Sequence, residues 1–170
     1  MTATGSALTA GTIALAEEAI DGLIARGCTV AIAESLTGGL VAAALTSVAG
    51  SSAAFRGCIV AYASELKTEL LGVPAALLTR HGVVHPAVAR AMATGVRLRL
   101  GSTYGCSTTG VAGPGPADGQ PQGTVFIAVA GPAGTAESGL HLPGDRRQVR
   151  EAALQAVLSA LVSAMQEDEA

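Results

Sequence analysis

The chain has 170 residues, a formal net charge of −3 and 49% hydrophobic residues, with two Phe, two Tyr and no Trp. This length fits one domain with a sizeable buried core. The chain has no Lys/Arg-rich stripe and few aromatic side chains on which bases could stack, so its composition argues against nucleic-acid binding. Its longest uncharged stretch, residues 36–55, contains three glycines and lacks the dense leucine and isoleucine of a membrane-spanning helix.

The first predicted elements are a tail, a helix and a strand. Residues 1–10 have neither a basic segment nor a compact apolar one, so we expect a flexible tail, no signal peptide and a cytoplasmic protein. Apolar side chains recur at helical spacing between residues 12 and 26, and Gly27 is a plausible stop. Residues 29–33 form a continuous apolar run, which is typical of a strand buried on both faces of a sheet.

The stretch E-S-L-T-G-G at residues 34–39 follows this strand and precedes a second helical run. The N–H groups of a helix N-terminus point outward there, and Gly38 and Gly39 let a ligand approach the backbone. Ser35 is therefore a candidate nucleophile, with those N–H groups facing the oxyanion that would form. In the alternative interpretation Ser35 or Thr37 only caps the helix. This stretch alone leaves both interpretations open.

The second strand, residues 55–63, leads into a helix for which Ser64 is the predicted cap. Lys67 lies one turn into that helix. A lysine among apolar walls can have its pKa lowered, which makes Lys67 the best candidate base for Ser35, and Tyr62 could relay the proton or orient the amine. Ser64-x-x-Lys67 also has the spacing of the Ser–Lys pair in penicillin-recognising enzymes, but the other motifs of that set are missing.

The rest of the chain alternates between apolar segments and turns. We predict a short turn at residues 75–80 and a helix at 86–100. Three strands are predicted at residues 104–108, 123–130 and 136–142, and a long final helix from residue 146 onward. A turn at residues 131–134 indicates an antiparallel hairpin between the last two strands. The acidic end, residues 167–170, is predicted to fray.

These elements predict a three-layer α/β/α sandwich over residues 11–166. Its five-stranded sheet is expected to be mixed and mostly parallel, with one antiparallel strand late in the chain. Binding sites in such sheets lie beyond the carboxyl ends of the parallel strands. Three candidate segments, residues 34–39, 62–67 and 108–116, are expected to meet at that edge and to form one cleft.

The third segment and the last helix contribute candidate binding groups. Gly110 and Gly113 lie in a backbone-lined loop suited to a phosphate or a carboxamide. Arg146, Arg147 and Arg150 cluster at the first turn of the last helix, where they either bind phosphate or form a solvated basic face.

The sequence predicts no metal site and no cofactor. The three cysteines contain no C-x-x-C and do not combine with the three histidines at ligand spacing. We expect reduced, small buried thiols.

Several ordered motifs together resemble the CinA C-terminal domain family, the nicotinamide-nucleotide amidohydrolases. The similarity covers roughly residues 10–165. The motifs are E-S-L-T-G-G at 34–39, F-R-G at 55–57, A-Y-A-S-E-L-K at 61–67, L-L-G-V-P at 70–74, R-H-G-V-V at 80–84 and T-T-G-V-A-G-P at 108–114.

The resemblance implies hydrolysis of the carboxamide of nicotinamide mononucleotide to nicotinate mononucleotide and ammonia, by a serine mechanism without metal. By motif position, Ser35 would be the nucleophile, Lys67 its base and Tyr62 a neighbour. Thr109 would assist at the carboxamide or at the acyl intermediate. The expected substrate-binding residues are Glu34, Thr37, Gly38, Gly39, Gly110, Gly113, Arg146 and Arg147. Relatives also suggest a homodimer or a higher homo-oligomer.

Two other functions are weighed against the amidase. A non-catalytic pyridine-nucleotide-binding regulatory domain of the same fold would bind ligand tightly without turnover. A competence factor acting on DNA would suit the family's historical name, but the charge and the aromatic content argue against direct DNA contact.

Overall fold

The computed structural model describes residues 8–168, which fold into one mixed sheet with helices on both faces. The helices are α1 Ala10–Ala25, α2 Leu40–Thr46, α3 Ser64–Leu71, α4 Ala75–His81, α5 Pro86–Leu100 and α6 Arg146–Glu167. The strands are β1 Val30–Glu34, β2 Phe55–Val60, β3 Tyr104–Gly110, β4 Thr124–Gly131 and β5 Gly134–His141.

The strands are arranged in the order β2-β1-β3-β4-β5. β1 pairs in parallel with both β2 and β3, whereas β4 pairs antiparallel with both β3 and β5. One strand, β4, therefore runs against the other four, which confirms the predicted mixed sheet. The parallel half brings the carboxyl ends of β1, β2 and β3 to the same edge.

Each face of the sheet carries its own apolar core. α1, α2 and α6 lie on one face, where Ile20, Leu45 and Leu154 are fully buried in one cluster with residues of β1 and β3. α3, α4 and α5 cover the other face, where Met92 and Val96 pack near Ala31 and Ala33 of β1. All five residues of β1 are buried because this central strand is covered on both sides. The three-layer prediction is confirmed.

Two local predictions need correction. Residues 75–81 form a complete helix, α4, rather than a short turn. Ser64 is the first residue of α3 and not its cap, because the chain leaving β2 stays extended only as far as Ala63. Ala63 holds the cap position without a side-chain hydrogen bond.

The predicted tail lies mostly outside the described residues, which begin at position 8. Thr9 caps α1, and its side chain accepts a hydrogen bond from the Thr12 N–H. At the other end, the predicted fraying does not include Asp168, whose carboxylate accepts a 2.6 Å hydrogen bond from the hydroxyl of Tyr104. None of the helices within residues 8–168 combines the length and apolarity needed to cross a bilayer.

Candidate active site

The predicted site residues converge on one cavity at the carboxyl ends of β1, β2 and β3. The cavity has a volume of about 230 Å³. Seven of the predicted residues line it: Ser35, Tyr62, Lys67, Thr109, Gly110, Gly113 and Arg146. The parallel pairing explains the convergence, since Ser35 directly follows β1, Tyr62 and Lys67 follow β2, and Thr109 is near the end of β3.

Ser35 and Lys67 are in direct contact. The Nζ of Lys67 donates to Ser35 Oγ over 3.2 Å and to the Ala61 carbonyl over 2.7 Å. The Lys67 side chain is long and charged, yet only 1% of the residue is exposed. Burial lowers the pKa of Lys67 from its usual 10.5, and the negative charges of Asp118 and Glu65 oppose this shift. A deprotonated amine at this distance can accept the Ser35 hydroxyl proton.

The cap of α2 is neither Ser35 nor Thr37. The N-cap position is Gly39, and the N–H groups at the helix start go instead to the carboxylate of Glu34. That carboxylate accepts from Gly39 over 2.8 Å, from Val41 over 3.3 Å and from Ala42 over 2.9 Å. Ser35 Oγ is therefore left to contact Lys67.

This capping changes which backbone groups can serve the site. Glu34 is fully buried and is not part of the cavity wall, which does not match its expected contact with substrate. The N–H of Gly39 is taken by Glu34, and the N–H of Gly38 bonds to the Ser35 carbonyl. Within residues 8–168, the N–H groups of Leu36 and Thr37 make no hydrogen bond to another residue.

The turn that carries Ser35 is held by contacts from α6 and β3. Arg150 of α6 donates to the carbonyls of Leu36 and Thr37 over 2.9 and 2.8 Å. The hydroxyls of Thr37 and Thr108 are 2.8 Å apart, and the Ser35 N–H donates to the Thr108 carbonyl. Thr37 therefore supports the turn from within, since it is buried and does not line the cavity.

The two glycine pairs have backbone roles. Gly38 and Gly39 have φ values of 57° and 96°, which the turn requires, and neither lines the cavity. Gly110 lines the cavity, and a Cβ there would lie 2.6 Å from the Thr124 carbonyl of β4. Gly113 also lines it, with φ of 89°. Close backbone packing and turn geometry explain these glycines.

Thr109 has a defined hydroxyl orientation. Its Oγ1 donates to the Val83 carbonyl over 2.8 Å, and the residue is 1% exposed. Because the hydroxyl proton is used in this bond, the oxygen is left to act as an acceptor towards the cavity.

The three predicted arginines are placed differently, and Arg150, bonded to the Leu36 and Thr37 carbonyls, is not part of the cavity wall. Arg146 lies at the cavity mouth, where it donates to the Gly113 carbonyl over 2.7 Å and to the Tyr62 hydroxyl over 3.0 Å. Arg147 lies outside the cavity wall; its guanidinium is 3.6 Å from Glu151, and its side chain is 66% exposed. A capping box between Asp145 and Gln148 fixes the first turn of α6, which carries both Arg146 and Arg147.

Sequence reasoning missed three residues of the cavity wall, which lie outside the three predicted segments. They are Val83, Ala117 and Asp118, and the negative charge of Asp118 raises the pKa of Lys67. Asp118 has a left-handed backbone, with φ of 49°, in an irregular loop that no periodic pattern marks. Among the residues described, no group of three or more His, Cys, Asp or Glu is arranged to hold a metal ion.

Comparisons with known proteins agree with this fold. The model of the CinA C-terminal domain matches residues 12–165. A CinA-like protein of Frankia casuarinae is 51% identical over 165 residues, covering 94% of this chain and 37% of the relative. A putative competence-damage inducible protein of Desulforamulus reducens is 44% identical over 136 residues, covering 80% of this chain and 33% of the relative.

Solved structures of similar proteins superpose closely. A CinA superfamily protein from Klebsiella pneumoniae gives a TM-score of 0.88 at 32% identity, covering 92% of this chain and 98% of that one. The competence/damage inducible protein CihA from Agrobacterium tumefaciens gives a TM-score of 0.89 at 33% identity, covering 94% of this chain and 98% of that one. The chain spans about a third of the length of the curated relatives it matches. The resemblance found in the sequence is confirmed, and this chain belongs to the CinA C-terminal domain family.

Proposed function

We propose that this chain is an amidase that hydrolyses the carboxamide of nicotinamide mononucleotide to nicotinate mononucleotide and ammonia. The observation that carries the proposal is the 3.2 Å contact between Ser35 Oγ and a buried Lys67 amine inside a cavity. A serine needs a base to become a nucleophile, and this amine has a pKa lowered by burial. The family resemblance of the ordered motifs supplies the substrate class.

The acylation step uses both side chains. Lys67 takes the Ser35 hydroxyl proton as Oγ attacks the carboxamide carbon, and a tetrahedral oxyanion forms. Leu36 lines the cavity, and its N–H group, which bonds no other described residue, is the proposed donor to this oxyanion. Lys67 then gives the proton to the departing nitrogen, so the C–N bond breaks, ammonia leaves and a Ser35 ester remains.

The second half-reaction restores the enzyme. A water molecule attacks the ester carbon while Lys67 takes a proton from it. The C–O bond to Ser35 breaks, the proton returns to Oγ and the nicotinate product leaves as an acid. No step requires a metal ion.

Thr109 and Arg146 are proposed to orient the substrate. With its proton donated to Val83, the Thr109 oxygen accepts a hydrogen bond from the carboxamide NH₂, which places the carbonyl carbon near Ser35. Arg146 is exposed at the mouth and is the cationic side chain of the cavity wall suited to the 5′-phosphate.

The test is ammonia release from nicotinamide mononucleotide, nicotinamide riboside and free nicotinamide, with a chelator present. We expect turnover of the mononucleotide by the wild type and loss of turnover in Ser35→Ala. Tight binding of the mononucleotide without ammonia release would favour the alternative, a non-catalytic nucleotide-binding domain. Full turnover by Ser35→Ala would remove the nucleophile assignment.

A further inference from the structure

We infer that Glu34 is a positioning residue that holds the Ser35 turn in its working shape. The inference rests on the proposed function, because it treats Ser35 as the nucleophile. Glu34 itself makes no contact with the cavity, so it would act through the backbone on either side of Ser35.

The Glu34 carboxylate is completely buried and receives four donors. Oε2 accepts from the N–H groups of Gly39 and Val41, and Oε1 accepts from the N–H of Ala42 and the thiol of Cys58, which is 3.4 Å away. Burying a carboxylate is costly unless it is well hydrogen-bonded. These four hydrogen bonds offset the cost of burying the Glu34 carboxylate and fix its position.

This carboxylate takes the place of a local cap. Helices commonly begin with Ser, Thr, Asp or Asn, whose side chain bonds the first free N–H groups. The cap position of α2 is Gly39, which has no side chain for this purpose and has a left-handed backbone. Supplying the cap from β1 therefore leaves the hydroxyls of Ser35 and Thr37 free for Lys67 and Thr108.

Glu34 also ties α2 to the sheet. Its backbone carbonyl accepts from the Ala61 N–H over 2.9 Å, and its side chain contacts Cys58 of β2. The same Ala61 contributes the carbonyl that holds the Lys67 amine. One residue thus fixes α2, β2 and the strand end that precedes Ser35.

The turn is clamped from two sides by groups of opposite charge. Glu34 holds N–H groups on the helix side, and Arg150 holds the carbonyls of Leu36 and Thr37. With both clamps in place, the N–H of Leu36, which lines the cavity, bonds no other described residue. Loosening one clamp would misplace this N–H relative to Ser35 Oγ, and small misplacements can cost about 10²-fold in rate.

Glu34→Gln tests the inference with almost no change in volume. An amide offers one acceptor oxygen in place of two, so its NH₂ group must face a backbone N–H. We expect kcat for nicotinamide mononucleotide to fall about 10- to 100-fold, as misplaced donors would cause. KM should stay within about threefold and the pH midpoint should be unchanged, because neither the cavity wall nor Lys67 is altered.

Cys58→Ala is the matched control. It removes only the thiol donor and leaves all three N–H bonds to Glu34, so kcat should stay within about threefold of the wild type. Glu34→Asp keeps the charge but shortens the side chain, and it should lose kcat as the Gln variant does. It also serves as the second variant if the Gln variant folds poorly.

A second readout does not depend on the substrate. The rate at which a fluorophosphonate labels Ser35, followed by mass spectrometry, should fall at least about tenfold in both Glu34 variants and stay near wild type in Cys58→Ala. Labelling that slows in a protein without amidase activity would support the positioning role and contradict the proposed function. Unchanged labelling and kcat in a folded Glu34→Gln protein, or a raised KM with unchanged kcat, would overturn the inference.

Discussion

Replacing Lys67 by methionine removes the proposed base and leaves a side chain of similar length in the same apolar surroundings. General-base catalysis by a positioned side chain contributes about 10²- to 10⁴-fold, so we expect kcat/KM to fall by about that factor. The amine is 3.2 Å from Ser35 Oγ, and the Lys67→Met substitution would leave this hydroxyl without its only side-chain partner among the described residues. Lys67→Arg should be as inactive, because a guanidinium stays protonated.

The role of Lys67 as a base also predicts how kcat/KM depends on pH. An ordinary lysine is only about 0.1% neutral at pH 7.5. Burial lowers the pKa of Lys67, so a larger fraction is ready to act as a base. Wild-type kcat/KM should therefore rise with pH along an acid limb whose midpoint lies below the usual lysine value of 10.5.

Glu65→Gln is the matched variant for this pH profile. Glu65 is exposed in the first turn of α3, and its charge raises the pKa of Lys67. Removing that charge destabilises the ammonium form, so the acid limb should move to lower pH while the maximum rate is kept. The assay is ammonia release at closely spaced pH values for the wild type and each variant.

Unfolding measurements separate catalysis from stability. Between the lowered folded pKa and 10.5, the unfolded state binds more protons than the folded state, so wild-type stability should rise with pH across that window. Lys67→Met should lose this dependence in urea unfolding. A folded Lys67→Met protein that keeps kcat/KM within about tenfold of wild type would refute the assignment of the base.

Three further substitutions, one of them with a matched control, test other parts of the molecule. Arg146→Met should raise KM for nicotinamide mononucleotide about tenfold and affect nicotinamide riboside less, since the riboside has no phosphate. The bonds of Arg146 to Gly113 and Tyr62 are lost for both substrates, so an equal effect on both would contradict the phosphate role. Arg150→Met removes two charge-assisted hydrogen bonds to the Ser35 turn, so it should lower the free energy of unfolding, measured by urea titration, by about 1.5–3 kcal/mol. The control is Arg147→Ala, which removes an exposed ion pair and should change this free energy by less than about 1 kcal/mol. Gly95→Ala places a Cβ 1.9 Å from the Leu71 carbonyl and should destabilise the fold by about 1–3 kcal/mol or more without altering kcat of the folded fraction.

The spacing of apolar residues and the glycine-rich turns made much of the fold predictable. β1 is a continuous apolar run because it is covered on both faces, and α6 keeps its helical spacing over 22 residues because one side packs on the sheet. The glycine-rich turn after β4 correctly predicted the hairpin with β5. The parallel order then implied that Ser35 and Lys67 would share an edge, and the structure places them in contact.

The parts that sequence reasoning missed depend on contacts between distant residues. Glu34 was expected to contact substrate because it belongs to the same motif as Ser35, but no local pattern indicates that its carboxylate turns back to cap α2. The clamp from Arg150 joins residues more than 110 positions apart. Asp118 enters the cavity wall from an irregular loop, where neither helical nor strand periodicity applies.

The most direct measurement is capture of the covalent intermediate. The protein is mixed with nicotinamide mononucleotide, quenched in acid within the first turnovers and digested, and the peptides are analysed by mass spectrometry. The mechanism predicts the nicotinate acyl group as an ester on the peptide that carries Ser35, with no adduct in Ser35→Ala. An acyl group on another residue such as Ser64, or continued ammonia release by Ser35→Ala, would contradict it.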